Sequence, residues 1–242
     1  SSASSADGSS TKVADPMGAR LDEALVRASP SERAAPLPGD ELVPDAVVVM
    51  DRAFTLPAPP ADVWPWFVQL GRRRGGWYLP GWLERVVPPR GRALRHLEPA
   101  LLGLAAGDVI PDWGGRDATF TVAQLVPGSH LVHSSCRGAI RLSWCIALRP
   151  VGGPPGGGTR VHLRLRLGGV RRPWVGEVGG GALDLLTVAG LAAGLRERLV
   201  GGSRSPVTGG GSPVTGGGSA GTGGGSTGTG GGSTGGDVGG RA

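Results

Sequence analysis

The feature that most restricts what this chain folds into is a strict alternation of apolar and polar residues in two neighbouring segments. Over residues 140–148, Ile140, Leu142, Trp144, Ile146 and Leu148 alternate with Arg141, Ser143, Cys145 and Ala147. Over residues 159–167, Val161, Leu163, Leu165 and Leu167 alternate with His162, Arg164 and Arg166. Successive side chains of a strand point to opposite faces, so both segments predict strands with one dry face and one wet face. The Gly/Pro-rich residues 152–158 join them as a hairpin connection.

The rest of the central region supplies what such a hairpin needs. Residues 47–56 predict a first strand, with Val48, Met50, Phe54 and Leu56 on one parity, Arg52 interrupting them, and Pro57 ending the ladder. Shorter strands are expected over 108–110, 119–126 and 131–136. Pro127-Gly128 fits the centre of a type II turn, where Pro sets φ and Gly supplies φ > 0. Pro59-Pro60 opens a helix carrying Val63, Trp64, Phe67 and Val68 at helical spacing. Residues 81–87 read as a helical turn, and 94–106 as a loose apolar patch. The longest helix is expected over 182–200, where Leu185, Val188, Leu191, Ala192, Leu195 and Leu199 recur at three and four. Arg196 and Arg198 suit the negative end of its dipole. Gly190 and Gly194 weaken it; either a close approach to the sheet or a ligand, or plain coding bias, accounts for them. The order of strand, helix, loops, several antiparallel strands and long C-terminal helix gives an α+β helix-grip fold, a curved antiparallel sheet wrapped around that helix.

Composition sets the boundaries. Of 242 residues, 1–39 are rich in Ser, Ala and Pro and read as mostly disordered, with Asp15-Pro16 capping a short helix over Leu21 and Leu25. Residues 201–242 are almost all Gly, Ser and Thr; they bury too little apolar surface to offset the entropy of ordering and read as a disordered tail. Its seven-residue repeat lacks the apolar a and d positions of a coiled coil. Residues 40–200 remain for one core. The formal net charge of +6 would ordinarily raise nucleic acid or an anionic membrane as partners. Lys12 is the only lysine and Asn is absent, the mark of GC-rich coding, so the charge is discounted and no nucleic acid is expected. Cys136 and Cys145 are too few for a disulfide framework; in a hairpin turning near Gly138, Cys145 faces a residue near Val132. No stretch reaches the length of a membrane span, and residues 1–10 carry no signal-peptide pattern. A cytoplasmic protein is expected, although a chain beginning at Ser leaves a removed leader open.

From Ala58 to Gly71 the chain reads Ala-Pro-Pro-Ala-Asp-Val-Trp-Pro-Trp-Phe-Val-Gln-Leu-Gly, followed by Arg74-Gly75-Gly76-Trp77-Tyr78. This stretch resembles the SRPBCC superfamily, which joins START-type lipid-transfer domains, polyketide cyclases/aromatases and birch-pollen-allergen-like proteins, and within it uncharacterised actinobacterial-type members. The resemblance covers about residues 40–200. It implies a helix-grip domain holding a small hydrophobic or amphipathic molecule, with a cyclase-, aromatase- or hydrolase-like enzyme as the alternative. Such relatives commonly continue with a Ser-Tyr-Asp-Trp-Leu-Glu-like segment. Here Leu79-Pro80-Gly81-Trp82-Leu83-Glu84 keeps the Trp, Leu and Glu but replaces the polar pair by Pro-Gly.

The candidate ligand-binding residues are Trp77, Tyr78, Trp82, Trp113, His133 and Trp144. Trp and Tyr pair large apolar area with one polar group, which suits a pocket wall as well as a core. His133 shares parity with Leu131 and Ser135; it reads as a pocket-lining acid/base or as an ordinary solvated or hydrogen-bonded histidine. His96, His130 and His162 complete the histidines, and no His-Glu-x-x-His or Cys/His array joins them, so no metal and no cofactor are expected. Glu84, Asp108 and Asp112 are the carboxylates expected near the pocket mouth. Arg74 reads as an anion contact or a solvated rim, since its loop lacks the Gly-Lys-Ser/Thr ending of a phosphate-binding loop. Catalytic residues and oligomeric state are not assigned by the sequence.

Overall fold

A computed structural model describes residues 26–113, 117–152, 157–170 and 181–202. The tail from residue 203 and the short helix expected after Asp15-Pro16 lie outside the described residues. One antiparallel sheet is built from β1 (Val48–Leu56), β2 (Val109–Pro111), β3 (Thr119–Val126), β4 (His130–Arg137), β5 (Ile140–Val151) and β6 (Gly158–Gly168), in the spatial order β1-β6-β5-β4-β3-β2. Among the described residues the α-helices are α1 (Pro30–Ala34), α2 (Pro60–Gln69), α3 (Gly81–Glu84) and α4 (Gly181–Gly202). This is the α+β helix-grip arrangement expected from the element order. Among the described residues no helix is long and apolar enough to cross a membrane.

Local chemistry sets the register. Gly128 has φ +71° and the Ser129 N–H donates to the Val126 carbonyl at 3.0 Å, so Pro127-Gly128 forms the turn its residues predict. The β4–β5 hairpin turns at Gly138, φ +60°, and puts Cys145 opposite Val132. Both cysteines are free, Cys136 exposed and Cys145 buried. A bulge between Val122 and Gln124 shifts the β3–β4 register, the usual device for bending a sheet.

On the inner face, Phe54, Leu56, Leu131, Ile146, Val161 and Leu163 meet Val188, Leu191, Ala192 and Leu195 of α4 and Val63 and Phe67 of α2 in one core. Burying side chains of this size contributes roughly 1.5–3 kcal/mol each, which fixes α4 on the sheet despite its two glycines. A Cβ on Gly194 would sit 2.7 Å from the backbone of Tyr78 and Leu79, so this glycine allows the helix to lie against the 78–79 loop rather than the sheet or a ligand. Arg198 is fully buried one turn later. It donates to the carbonyls of Leu94, Leu79 and Gly194 and to Glu84 Oε1 at 2.6 Å, and its guanidinium lies over the Tyr78 ring at 4.7 Å. Its role is to bolt the loop region to α4, beyond the dipole effect read from sequence.

The outer face departs from expectation. The alternation predicts water against His162 and Arg164, yet they are 3% and 4% exposed, and Ala53, Val132 and Cys145 beside them are also buried. Residues 26–46 cross this face as a strap. Ser29 caps α1 with a complete capping box to Glu32 and Pro30 at the first turn. The Val26 carbonyl accepts the Ala53 N–H, and Gly39, at φ +87°, packs on Val132. Arg160 grips Glu32 through both carboxylate oxygens at 2.8 and 2.9 Å. Arg164 donates to Asp51, Asp40 and the carbonyls of Glu32, Arg33 and Ala35. Residues 26–39, part of the segment expected from composition to be mostly disordered, lie in this strap, where the arginines of β6 have acidic and carbonyl partners. A buried arginine needs such partners. The domain is three layers: strap, sheet, helices.

Candidate functional site

A cavity of about 240 Å3 lies between the inner face of the sheet and the first half of α4. Its apolar wall comes from Met50, Phe120, Leu142, Leu163, Leu165 and Val188. Three of the six aromatic or histidine candidates, Trp77, Trp113 and Trp144, join that wall. Trp77 stacks on Trp144 at 6.2 Å with an interplanar angle of 24°, and meets Trp113 edge-on at 5.4 Å. The Trp77 indole N–H donates to the Thr187 carbonyl at 3.1 Å, so its polar end is used by α4 and its ring is left for the cavity. The site exists because β5 turns every second residue inward, and because the loop after α2 returns Trp77 to α4 as a lid on that row.

Charge enters this wall in two pairs. Arg52 of β1 meets Asp184 of α4 at 2.9 Å, and Arg137 of β4 pairs with Asp112, just after β2. All four line the cavity. Burial pushes the Asp184 carboxyl above its ordinary range, and Arg52 opposes this only in part. Among the described residues, two arginines and two aspartates leave the wall formally neutral but rich in directional donors and acceptors. Of these four, only Asp112 is expected near the mouth from sequence; Arg52, Asp184 and Arg137 are not. Each has a sequence signal. Arg52 interrupts an apolar parity, Asp184 falls four residues before Val188 on the apolar stripe of α4, and Arg137 shares the parity of Leu131 and His133.

His133 sits one layer deeper. It is 2% exposed, stacks on Trp144 at 5.4 Å and touches Phe120 at 5.5 Å, and is not among the lining residues. Both ring nitrogens are buried and, among the described residues, have no hydrogen-bond partner. Desolvation, with a smaller push from the Arg74 charge, pulls its pKa down to about 4, so the ring is neutral near pH 7. The structure thus places the ring behind the cavity wall, in contact with Trp144 and Phe120.

The remaining candidates lie elsewhere. Tyr78 is fully buried, packs edge-on against Trp66 at 5.5 Å and donates its hydroxyl to the Trp66 carbonyl at 2.9 Å, a core position whose burial raises the phenol pKa. Trp82 is 68% exposed on α3 and does not line the cavity. Glu84 is held by Arg198 and Arg95, and Asp108 accepts the Ala105 N–H at 2.9 Å. Arg74 donates to the carbonyls of Val68 and Leu101, closing the end of α2 rather than a rim. His162 contacts Asp51 at 2.7 Å under the strap. Burial would raise the Asp51 carboxyl, but the His162 and Arg164 hydrogen bonds overcome it and hold it low.

No family model matches the chain, and no curated protein matches it. Solved structures similar to it include a START superfamily protein from Mycobacterium smegmatis, at 12% identity over 63% of this chain and 97% of that one, TM-score 0.38. They also include a protein from Mesorhizobium loti, at 17% identity over 63% and 97%, TM-score 0.37. CalU16 from Micromonospora echinospora is 18% identical over 63% and 84%, TM-score 0.37. At this level of likeness these structures bring no ligand or reaction to this chain.

Proposed function

We propose that the domain binds one small, compact, hydrophobic or amphipathic molecule in the cavity between the sheet and α4. The observation that carries this reading is the wall itself: stacked Trp77 and Trp144, with Trp113, Phe120, Met50, three leucines and Val188, around a space of about 240 Å3. Apolar walls with a few placed polar groups are what small-molecule sites have in common. The volume is below the ~300–1,000 Å3 of drug-sized sites, which favours a ring compound over a long acyl chain. Arg52, Asp184, Arg137 and Asp112 would take its polar edge. Titration with 2-naphthol, followed by tryptophan emission and calorimetry, should give one saturable site, weakened at least tenfold in the cavity-filling variant Leu165→Trp. Unsaturable quenching, or unchanged affinity in a folded Leu165→Trp protein, would refute the reading.

A cyclase-, aromatase- or hydrolase-like reaction in the same cavity is the alternative. Its acid/base would have to be Asp112 or Asp184, the carboxylates on the described wall, and each already holds an arginine. General acid/base work needs a group free to exchange its proton with substrate. The pairing weighs against Asp112; Asp184, whose carboxyl burial raises despite Arg52, is the acid/base this alternative would use.

A further inference from the structure

We propose that residues 81–95 form a docking element for the surface of an anionic bilayer, with Trp82 and Val86 entering the headgroup region. Helical hydrogen bonding runs past α3, since the Val86 and Val87 N–H groups donate to the carbonyls of Leu83 and Glu84. Trp82 and Val86, four apart on that stretch, are 68% and 76% exposed. Arg85, Pro88, Pro89, Arg90 and Arg92 are exposed around them. Among the described residues none of Arg85, Arg90 and Arg92 is ion-paired. Glu84, the one acidic residue of the segment, is buried between Arg198 and Arg95. What the segment turns to water is thus an indole, a valine, two prolines and four arginines, of which Arg95 is paired with Glu84 and with Glu197 of α4, the one exposed carboxylate that the described structure sets against the segment.

The element is held ready rather than floppy. Arg92 donates to the carbonyls of Val87 and Arg85, and the Gly81 N–H donates to Glu197 of α4 at 2.7 Å. An indole sits well at the water–lipid boundary, where its ring is shielded and its N–H stays wet. Arginine forks match lipid phosphates, and each basic residue near an anionic surface contributes an attraction that salt screens. A water-dissolved polyanion would satisfy the arginines and leave Trp82 and Val86 exposed. A bilayer satisfies both, and so is the occupant assigned. The composition-level discount of the net charge does not reach this segment, because the argument rests on where the arginines lie.

Co-sedimentation of the full chain with vesicles tests this. Vesicles of phosphatidylcholine and phosphatidylglycerol should carry the protein down in low salt and release it in high salt, while phosphatidylcholine alone should bind at least tenfold less. Arg85→Gln and Arg90→Gln should each lower the partition coefficient about fivefold. The double variant Trp82→Ala/Val86→Ala should also lose most binding. Its thermal midpoint should not change, because both side chains are in water. No sedimentation with the anionic vesicles, or binding by the double variant equal to that of the parent chain, would overturn the proposal. The second result would leave only a surface that attracts any polyanion.

Discussion

At the scale of single residues, two glycines four apart on one helix have different jobs. The Cβ of Gly194→Ala would press on the backbone of Tyr78 and Leu79 at 2.7 Å, which cannot swing aside. That substitution should cost roughly 1–3 kcal/mol, read as a lower urea midpoint. Gly190→Ala meets only the Leu79 Cδ2 methyl at 2.9 Å, which can rotate, and gains up to ~1 kcal/mol of helix propensity; it should leave stability equal or higher. His133 gives a second residue-scale prediction. Its folded pKa of about 4 lies below the ordinary 6.5, so the unfolded chain binds the proton more readily. Stability attributable to it is complete above pH 6.5 and drains as pH falls toward 4, by roughly 2 kcal/mol between pH 7 and pH 5. His133→Phe keeps the ring against Trp144 and removes two unsatisfied nitrogens. It should flatten that part of the profile and be no less stable at pH 7 in urea unfolding measured at both pH values.

At the scale of elements, the strap is the part of the fold with a testable hinge point. Glu32 is held down to about 2, first by its Arg160 hydrogen bonds, against burial, with help from the Ser29 N–H. Its contribution is present above the usual carboxylate range and fades as acid approaches pH 2. Glu32→Gln removes the charge facing Arg160 and Arg149 and should cost about 1.5–3 kcal/mol. It should also loosen the cover over Cys145. A thiol reagent that labels Cys136 at once in both proteins should then reach Cys145 faster in the variant; equal rates would show the strap is held without Glu32. Period-two patterning made the strands legible: residues 119–126 match β3 end to end, and 140–148 and 159–167 fall inside β5 and β6. The helix expected over 182–200 differs from α4 by a residue or two at each end. The strap was illegible because an arginine row facing a protein layer has the same spelling as one facing water. Only the Ser29-x-x-Glu32 capping box with Pro30 marked α1, and the Ser/Ala/Pro composition around it hid that signal. At the site, the tryptophans of the wall could be read from sequence but its ion pairs could not, because Arg52–Asp184 joins residues that no local pattern connects.

At the scale of the whole molecule, β6 belongs to both compartments. Leu163 and Leu165 border the cavity, while Arg160, Arg164 and Arg166 on the reverse side hold Glu32, Asp40 and the Val43 carbonyl. Interiors pack too densely to absorb a displacement locally. Leu165→Trp should therefore speed hydrogen exchange at the Ala53 amide, whose partner, the Val26 carbonyl, starts the strap at the β1 edge of the sheet. An exchange rate identical to the parent's would show the two sides to be mechanically separate. One ribbon with leucines on its front and guanidinium groups on its back acts as a diaphragm: pressure from a guest inside becomes slack in the girdle outside, and can be heard without opening the chamber.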